Sequence, residues 1–151
     1  IGFGVAGVIL AYVGYNVVYA LGSFPAGVLA DRLPRPAVFG FGLVFFAVGY
    51  IGLGLTTNTV AACLLIGMYG LFTAFTDGVG KAWISSLVGS DRQAGAQGVF
   101  QGASGLAVLA AGLWAGLLWG ADGRVPLLIS GVVGGCFALA LLVPWVLRRA
   151  R

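Results

Sequence analysis

The sequence predicts an all-α integral membrane protein with five transmembrane helices. Hydrophobic residues make up 60% of the 151 residues and charged residues only 8%, whereas soluble domains carry about 25% charged residues. Residues 1–30, 36–76, 93–121 and 125–147 contain no charged side chain, and a spanning helix needs about 20 apolar residues. The run 36–76 must hold two helices, because one helix of that length would be about 60 Å long, twice the thickness of the hydrocarbon layer. The polar break Thr56–Thr59 separates them.

The predicted helices cover residues 5–29, 37–55, 60–87, 94–119 and 125–147. Together they form one transmembrane domain, 1–151. The chain starts at Ile1, with no initiator Met and no charged segment before its first apolar run. We therefore expect it to be a fragment of a longer protein.

A short charged turn, Gly27–Pro36, separates the first two helices. It contains Gly27, Asp31, Arg32 and Arg35 between two membrane-length apolar runs. Orientation of the chain by positive loop charges accounts for the two arginines but leaves the acid unexplained. A function for this protein must account for Asp31.

The first helix carries a polar stripe. Tyr12, Tyr15, Asn16 and Tyr19 recur at helical spacing and share one face. Asn16 is the only amide in the span, and a side-chain amide in hydrocarbon requires a hydrogen-bond partner. Two interpretations are open: a stripe that faces substrate, or hydrogen bonds to a neighbouring helix.

The third helix carries the ionisable residues that lie deepest in the predicted spans. Thr73, Asp77 and Lys81 share one face with Tyr69, and the acid precedes the base by one turn, the favourable order for an ion pair. Ionisable residues inside a span are costly and usually mark a polar pathway. The alternative is interfacial: Asp77 is about 26 Å along the helix, so Lys81 could reach the interface with Asp77 as its neutralising partner.

The fourth helix has two distinct stripes. Gln97, Gln101 and Ser104 form a polar one. Glycines at about every fourth position form the other, and small residues at that spacing allow helix backbones to approach closely. The second and fifth helices are almost wholly apolar.

The distribution of basic residues predicts the orientation. With a cytoplasmic C-terminus, one side of the membrane holds all the basic residues except Arg124, which fits the positive-inside rule; those residues are Arg32, Arg35, Lys81, Arg92, Arg148, Arg149 and Arg151. The first residue of the chain then lies on the periplasmic side.

Several function classes are disfavoured. The chain has no histidine, which removes most metal sites and any Ser-His arrangement, so we expect no catalytic residue, no metal and no cofactor. Basic residues confined to loops and the C-terminus do not form a nucleic-acid patch. Cys63 and Cys136 lie in apolar runs and are interpreted as packing residues.

The spans together resemble the C-terminal half of a bacterial transporter of the major facilitator superfamily. Gly27-x-x-x-Asp31-Arg32-x-Pro34-Arg35 is similar to the family's loop motif G-x-x-x-D-R-x-G-R-R, with Pro34 and Pro36 in place of a glycine and a basic residue. Tyr69–Ala82 and Gly112–Trp119 are similar to the tenth and eleventh helices of such permeases.

The resemblance implies that the five spans are helices eight to twelve of a twelve-helix fold. It implies a secondary transporter that moves a small-molecule substrate by alternating access, with proton coupling as an open option. The missing N-terminal half of the same polypeptide would be its partner, and the bacterial inner membrane and its lipid bilayer its location. Helices nine and twelve would face lipid, and the other three would line the cavity.

On this basis Asp31 is a candidate gate. We expect its carboxylate to face the N-terminal end of the fourth helix, where the helix dipole favours an anion. The rival hypothesis is a small five-span scaffold or assembly subunit without transport activity. It predicts a genuine start near this N-terminus, whereas a transporter predicts about seven further spans upstream.

Overall fold

The structure is a computed structural model that describes residues 4–120 and 122–149. It contains five long helices: α1 (Val5–Arg32), α2 (Arg35–Leu55), α3 (Thr59–Ser86), α4 (Gln93–Leu117) and α5 (Arg124–Arg149). A short 3₁₀ helix, Ser90–Arg92, precedes α4. All five are long and apolar enough to cross a membrane, which confirms the predicted all-α membrane fold. Arg151, counted above for orientation, lies outside the described residues.

Local chemistry explains where the helices begin and turn. Asn58 caps α3, because its side-chain oxygen accepts hydrogen bonds from the backbone N–H groups of Val60 (2.9 Å) and Ala61 (3.1 Å). Gly123 shapes the turn before α5 with φ at +67°. A Cβ there would lie 2.8 Å from the ring of Trp119, so the turn requires glycine.

The charged turn is shorter than predicted. α1 continues through Arg32 instead of ending at Leu29, and α2 starts at Arg35, which leaves only Leu33 and Pro34 between the two helices. The N–H of Leu33 donates to the carbonyl of Leu29 at 2.8 Å and completes the last turn. Asp31 and Arg32 therefore lie in the last turn of α1, where the helix dipole favours a basic residue such as Arg32.

α3 lies at the centre of the packing, between α1 and α2, and α2 packs against α5 on its other side. Val8 near the start of α1 lines one cavity with Ile66 of α3, and Asp31 at the end of α1 lines another with Ala82, so α1 and α3 run parallel. Contacts at Gly42 and Gly52 show that α2 runs antiparallel to α3. The buried hydrophobic side chains are alanines and two valines, which is how membrane helices achieve close approach.

α4 is the least embedded helix. Its contacts are mainly with α3, and none of its residues is buried among the described residues. It ends at Leu117, two residues earlier than predicted, because Gly120 adopts a left-handed conformation with φ at +59°. The ends where α1, α3 and α5 finish and α2 and α4 begin form what we call the basic end, which carries Arg32, Arg35, Arg92, Arg148 and Arg149.

Candidate functional site

The tyrosines of α1 form a continuous column that faces α3. The rings of Tyr12 and Tyr15 stack with centroids 6.1 Å apart, and those of Tyr15 and Tyr19 are 6.3 Å apart. Tyr15 also stacks on Tyr69 of α3 at 5.8 Å. Helical spacing places the three α1 rings above one another, so the predicted stripe exists as a column of rings between two helices.

The column ends at an ion pair. The Tyr19 hydroxyl donates to Oδ2 of Asp77 at 3.2 Å, and Nζ of Lys81 lies 2.8 Å from Oδ1 of the same carboxylate. Each carboxylate oxygen thus has its own partner, one from α1 and one from α3. The side chains of Asp77 and Lys81 are both 42% exposed, so the pair faces an open surface of the described bundle and is not enclosed within it.

The ion pair lies on the half of α3 nearer the basic end. Measured from the midpoint of α3, Asp77 lies about 7 Å and Lys81 about 13 Å toward that end. Both distances are shorter than the roughly 15 Å half-thickness of a hydrocarbon layer. The contact of Lys81 with Asp77 is common to the two interpretations, a polar pathway and an interfacial lysine neutralised by Asp77.

Thr73 joins the column from α3. The Tyr15 hydroxyl donates to Oγ1 of Thr73 at 3.0 Å, which ties α1 to α3 one turn before Asp77. Thr76, on the neighbouring face, is buried and donates to the carbonyl of Phe72 at 2.8 Å. Thr76 is thus satisfied within its own helix, and Thr73 belongs to the site.

Tyr12 and Asn16 differ in their surroundings. Tyr12 lines an apolar cavity of about 460 Å³ between α1 and α3, together with Tyr15, Tyr69 and Ile66. The Asn16 side-chain amide donates to the carbonyl of Tyr12 at 2.8 Å. Within the described residues this amide therefore bonds to the preceding turn of its own helix and not to a neighbouring helix, as one of the two interpretations required.

The two candidate glutamines of α4 have separate roles. Nε2 of Gln97 donates to the carbonyl of Lys81 at 2.7 Å and to Oγ of Ser85 at 2.8 Å, which fastens the start of α4 to the end of α3. Gln101, one turn further on, is exposed. Gln97 thus positions the helix, and Gln101 presents its amide to the open side.

The motif residues lie at the basic end beside α3. Asp31, Gly27 and Arg35 line a small cavity of about 190 Å³ with residues of α3, such as Gly78 and Ala82. Nη1 of Arg35 donates to the carbonyl of Ala82 at 2.9 Å, near the negative end of the α3 dipole.

The expectation that Asp31 faces the start of α4 is not met. In the described part of the chain, the lining of the Asp31 cavity comes from α1, α2 and α3. α4 contacts mainly α3, and α1 is not among the helices that it mainly contacts. Asp31 and Arg32 are exposed and take part in none of the ion pairs of the described residues. A Cβ at Gly27 would meet nothing within 4 Å.

Sequence reasoning overlooked an aromatic cluster between α2 and α3. The rings of Phe46 and Tyr50 stack 4.2 Å apart, and Tyr50 lies 5.6 Å from Tyr69. Phe72 completes the cluster at 4.9 Å from Phe46. These contacts support the α3 face behind the tyrosine column, and the spacing of Phe46 and Tyr50 by one turn was the available signal.

The ion pair offers the Asp77 carboxylate to a cation or a proton and the Lys81 ammonium to an anion. It has no cluster of three or more His, Cys, Asp or Glu able to hold a metal within 4–120 and 122–149. Five described helices that are each long and apolar enough to cross a membrane define the class of protein as a polytopic α-helical membrane protein.

The comparisons with known proteins identify the family. The chain belongs to the major facilitator superfamily, whose family model matches residues 1–151. An uncharacterised MFS-type transporter of Methanocaldococcus jannaschii is 33% identical to the chain over 134 residues. This match covers 89% of the chain but 34% of the relative, so the chain spans about a third of the length of that relative.

Proposed function

We propose that this chain forms most of the C-terminal half of a secondary transporter that moves a small solute across a membrane by alternating access. The observation that carries the proposal is the network of Tyr19, Asp77 and Lys81, which joins two helices long and apolar enough to cross a membrane and is 42% exposed at its two charged side chains. Polar groups are costly there unless they serve a pathway. Helices α2 and α5 contribute almost no polar groups to this face, as expected of lipid-facing helices.

The N-terminal half of the same polypeptide is the proposed partner across this open face. Substrate would bind between the two halves near the tyrosine column, and the halves would rock about that site. We place the protein in the cytoplasmic membrane of its cell, with the basic end inside, according to the positive-inside rule.

Asp77 is the proposed coupling residue. When its carboxylate is ionised, it holds Lys81 and accepts from Tyr19. Protonation would remove the charge that attracts the ammonium and free Lys81 to bind another anion. A substrate carboxylate or phosphate is one such anion, so proton binding and solute binding would be linked at one residue.

Asp31 is the proposed gate residue at the basic end. It extends from the end of α1 without an ion-pair partner among the described residues. Its partner would therefore lie in the other half and not at α4. A helix N-terminus in the other half would stabilise the Asp31 carboxylate by about 0.3–2 kcal/mol, enough to change the ratio of two conformations several-fold.

Alternating access is tested by labelling from both sides of the membrane. In the full-length chain, every native cysteine, including Cys63 and Cys136, is replaced by serine and a single cysteine is placed at the exposed position 101. We expect an impermeant maleimide to label Gln101→Cys in both right-side-out and inverted vesicles. Asp31→Asn should shift the ratio of the two rates several-fold. Labelling from one side only would contradict alternating access, and an unchanged ratio would contradict the gate.

Coupling is tested by proton flux in proteoliposomes of the full-length chain. A pH-sensitive dye reports flux while candidate solutes are added one at a time. We expect Asp77→Asn to lower solute-dependent flux at least tenfold. Normal flux in the double variant Asp77→Asn/Lys81→Gln would leave the ion pair without a transport role.

A further inference from the structure

A second cavity at the basic end lies between the start of α2 and the end of α5. This α2–α5 cleft has a volume of about 520 Å³ and is lined by residues that include Pro36, Ala37, Leu141, Trp145, Arg148 and Arg149. The volume lies within the usual range for sites that bind small molecules. The cleft shares none of its residues with the tyrosine column or the Asp31 cavity.

The cleft lies beyond the last close glycine contact between α2 and α5. Along most of their length the two helices are in close contact: a Cβ at Gly134 would lie 2.5 Å from the ring of Phe46, and one at Gly54 would lie 3.0 Å from Leu128. The glycine contact nearest the basic end is Gly40 against Leu142, also at 3.0 Å. Between that contact and the basic end, prolines line both walls of the cleft.

The charge of the cleft is positive and uncompensated. Arg148 and Arg149 are exposed, and the three ion pairs within residues 4–120 and 122–149 involve other side chains. The Arg149 guanidinium lies 4.7 Å from the centroid of the Trp145 ring, a cation–π contact that positions it. Trp145 is in turn held by Phe41 of α2, with centroids 5.9 Å apart.

An apolar groove lies on the same face of α5, nearer the middle of the bundle. Phe137 lies one turn before Leu141 on that face, and it lines a further cavity of about 330 Å³ with Phe46 and Val133. The side chain of Phe137 is 62% exposed. The basic cleft and this apolar groove therefore follow one another along one face of α5.

We propose that the α2–α5 cleft binds an anionic phospholipid, with its phosphodiester at Arg148 and Arg149 and an acyl chain along the groove toward Phe137. Guanidinium groups bind phosphate oxygens in a planar, two-point geometry, and basic pockets between spanning helices are suited to anionic headgroups. Trp145 lies at the level where aromatic rings meet headgroups. The lipid would fill the space between the ends of α2 and α5.

Lipid binding is measured by native mass spectrometry on the delipidated full-length chain, with phosphatidylglycerol and phosphatidylcholine of identical acyl chains. Arg148→Gln/Arg149→Gln should weaken phosphatidylglycerol binding about 25-fold, since each basic residue near an anionic headgroup contributes about fivefold. Phosphatidylcholine binding should not change. The matched control, Arg92→Gln/Arg124→Gln, removes the same charge at positions that do not line the cleft and should shift affinity less than twofold.

A second variant tests the cavity independently of charge. Ala140 lines the cleft and is exposed, so Ala140→Phe should occupy the headgroup space and abolish the preference for phosphatidylglycerol with both arginines present. Equal binding of the two lipids by the unmodified chain would overturn the proposal. So would equal losses in the arginine variant and its control, or full displacement of the lipid by millimolar inorganic phosphate, which would show a site for a free anion.

Discussion

Glycine Gly70 of α3 and the glycines of α4 differ in how closely other helices approach them. On the α1 side, a Cβ at Gly70 would lie 2.6 Å from the carbonyl oxygen of Tyr15 and 3.0 Å from the backbone nitrogen of Tyr19. In α4, by contrast, a Cβ at any of the glycines would meet nothing within 4 Å; they are Gly95, Gly98, Gly102, Gly105, Gly112 and Gly116. α3 and α4 both carry glycines in their spans. Among the described residues, a neighbouring helix packs closely on Gly70 of α3, and none packs on the glycines of α4.

The difference shows that a glycine stripe predicts close packing but not the partner. Glycine is costly in a helix unless something needs the space, and lipid does not need it. The stripe of α4 therefore indicates a further helix that packs there. The N-terminal half proposed above as the partner is a candidate source of this helix.

The largest effect should follow from closing the α1–α3 contact. Gly70→Ala places a methyl group against the backbone of α1, which cannot move aside as a flexible side chain can. We expect a loss of about 3 kcal/mol in stability, at the upper end for overpacking. The loss should appear as a lower thermal unfolding midpoint of the purified full-length chain.

Gly78→Ala is the matched control for this substitution. It lies on the same helix, two turns further on, and its added Cβ would meet nothing within 4 Å. Its unfolding midpoint should equal or slightly exceed that of the unmodified chain, because alanine favours helix. Equal midpoints for Gly70→Ala and the unmodified chain would show that α1 and α3 are less closely packed than described.

The second prediction concerns the open stripe of α4. If another helix packs on it, Gly98→Leu and Gly105→Leu in the full-length chain should each lower stability by about 1–3 kcal/mol through overpacking. The described residues alone predict no loss, since a Cβ at either position has open space. Neutral substitutions would mean that α4 faces lipid or water, and the comparison between the two faces would lose its explanation.

The number of helices was predictable from composition, but the details of their contacts were not. Uncharged runs and the break at Thr56–Thr59 were enough to predict five spans, because hydrophobic length depends on composition alone. The continuation of α1 through Arg32 was missed because charged residues were taken to mark a loop. Charge positions indicate where the interface lies, but they do not stop a helix.

The candidate site was predictable to the level of faces. Helical spacing grouped Tyr12, Tyr15 and Tyr19 correctly, and the ion pair followed from the one-turn separation of Asp77 and Lys81. Nothing in the spacing could show that Tyr19 reaches across to Asp77. That contact depends on how α1 and α3 pack, and packing depends on side-chain volumes at positions such as Gly70.

The third prediction separates the two glutamines of α4. Gln97→Leu removes two hydrogen bonds to α3, at 2.7 and 2.8 Å, each worth about 0.5–1.5 kcal/mol. We expect a loss of about 1–2 kcal/mol in the unfolding free energy. Gln101→Leu should leave stability nearly unchanged, because this side chain is exposed and makes no hydrogen bond within the described residues, but it should lower solute-dependent flux if it faces the pathway. Equal losses of unfolding free energy in Gln97→Leu and Gln101→Leu would show that the two hydrogen bonds of Gln97 do not hold α4 against α3.

The smallest effect should come from the two motif arginines. Arg35→Gln removes the hydrogen bond to the carbonyl of Ala82 and a positive charge near the end of α3, so we expect a loss of about 1 kcal/mol in unfolding free energy. Arg32→Gln removes the same charge from an exposed side chain that takes part in no ion pair of the described residues. The loss of unfolding free energy in Arg32→Gln should be about half that in Arg35→Gln or less, because only the interaction of the charge with the α1 dipole is lost. The reverse order would mean that Arg32, and not Arg35, connects the motif to its neighbours, and that its partner lies in the other half of the protein.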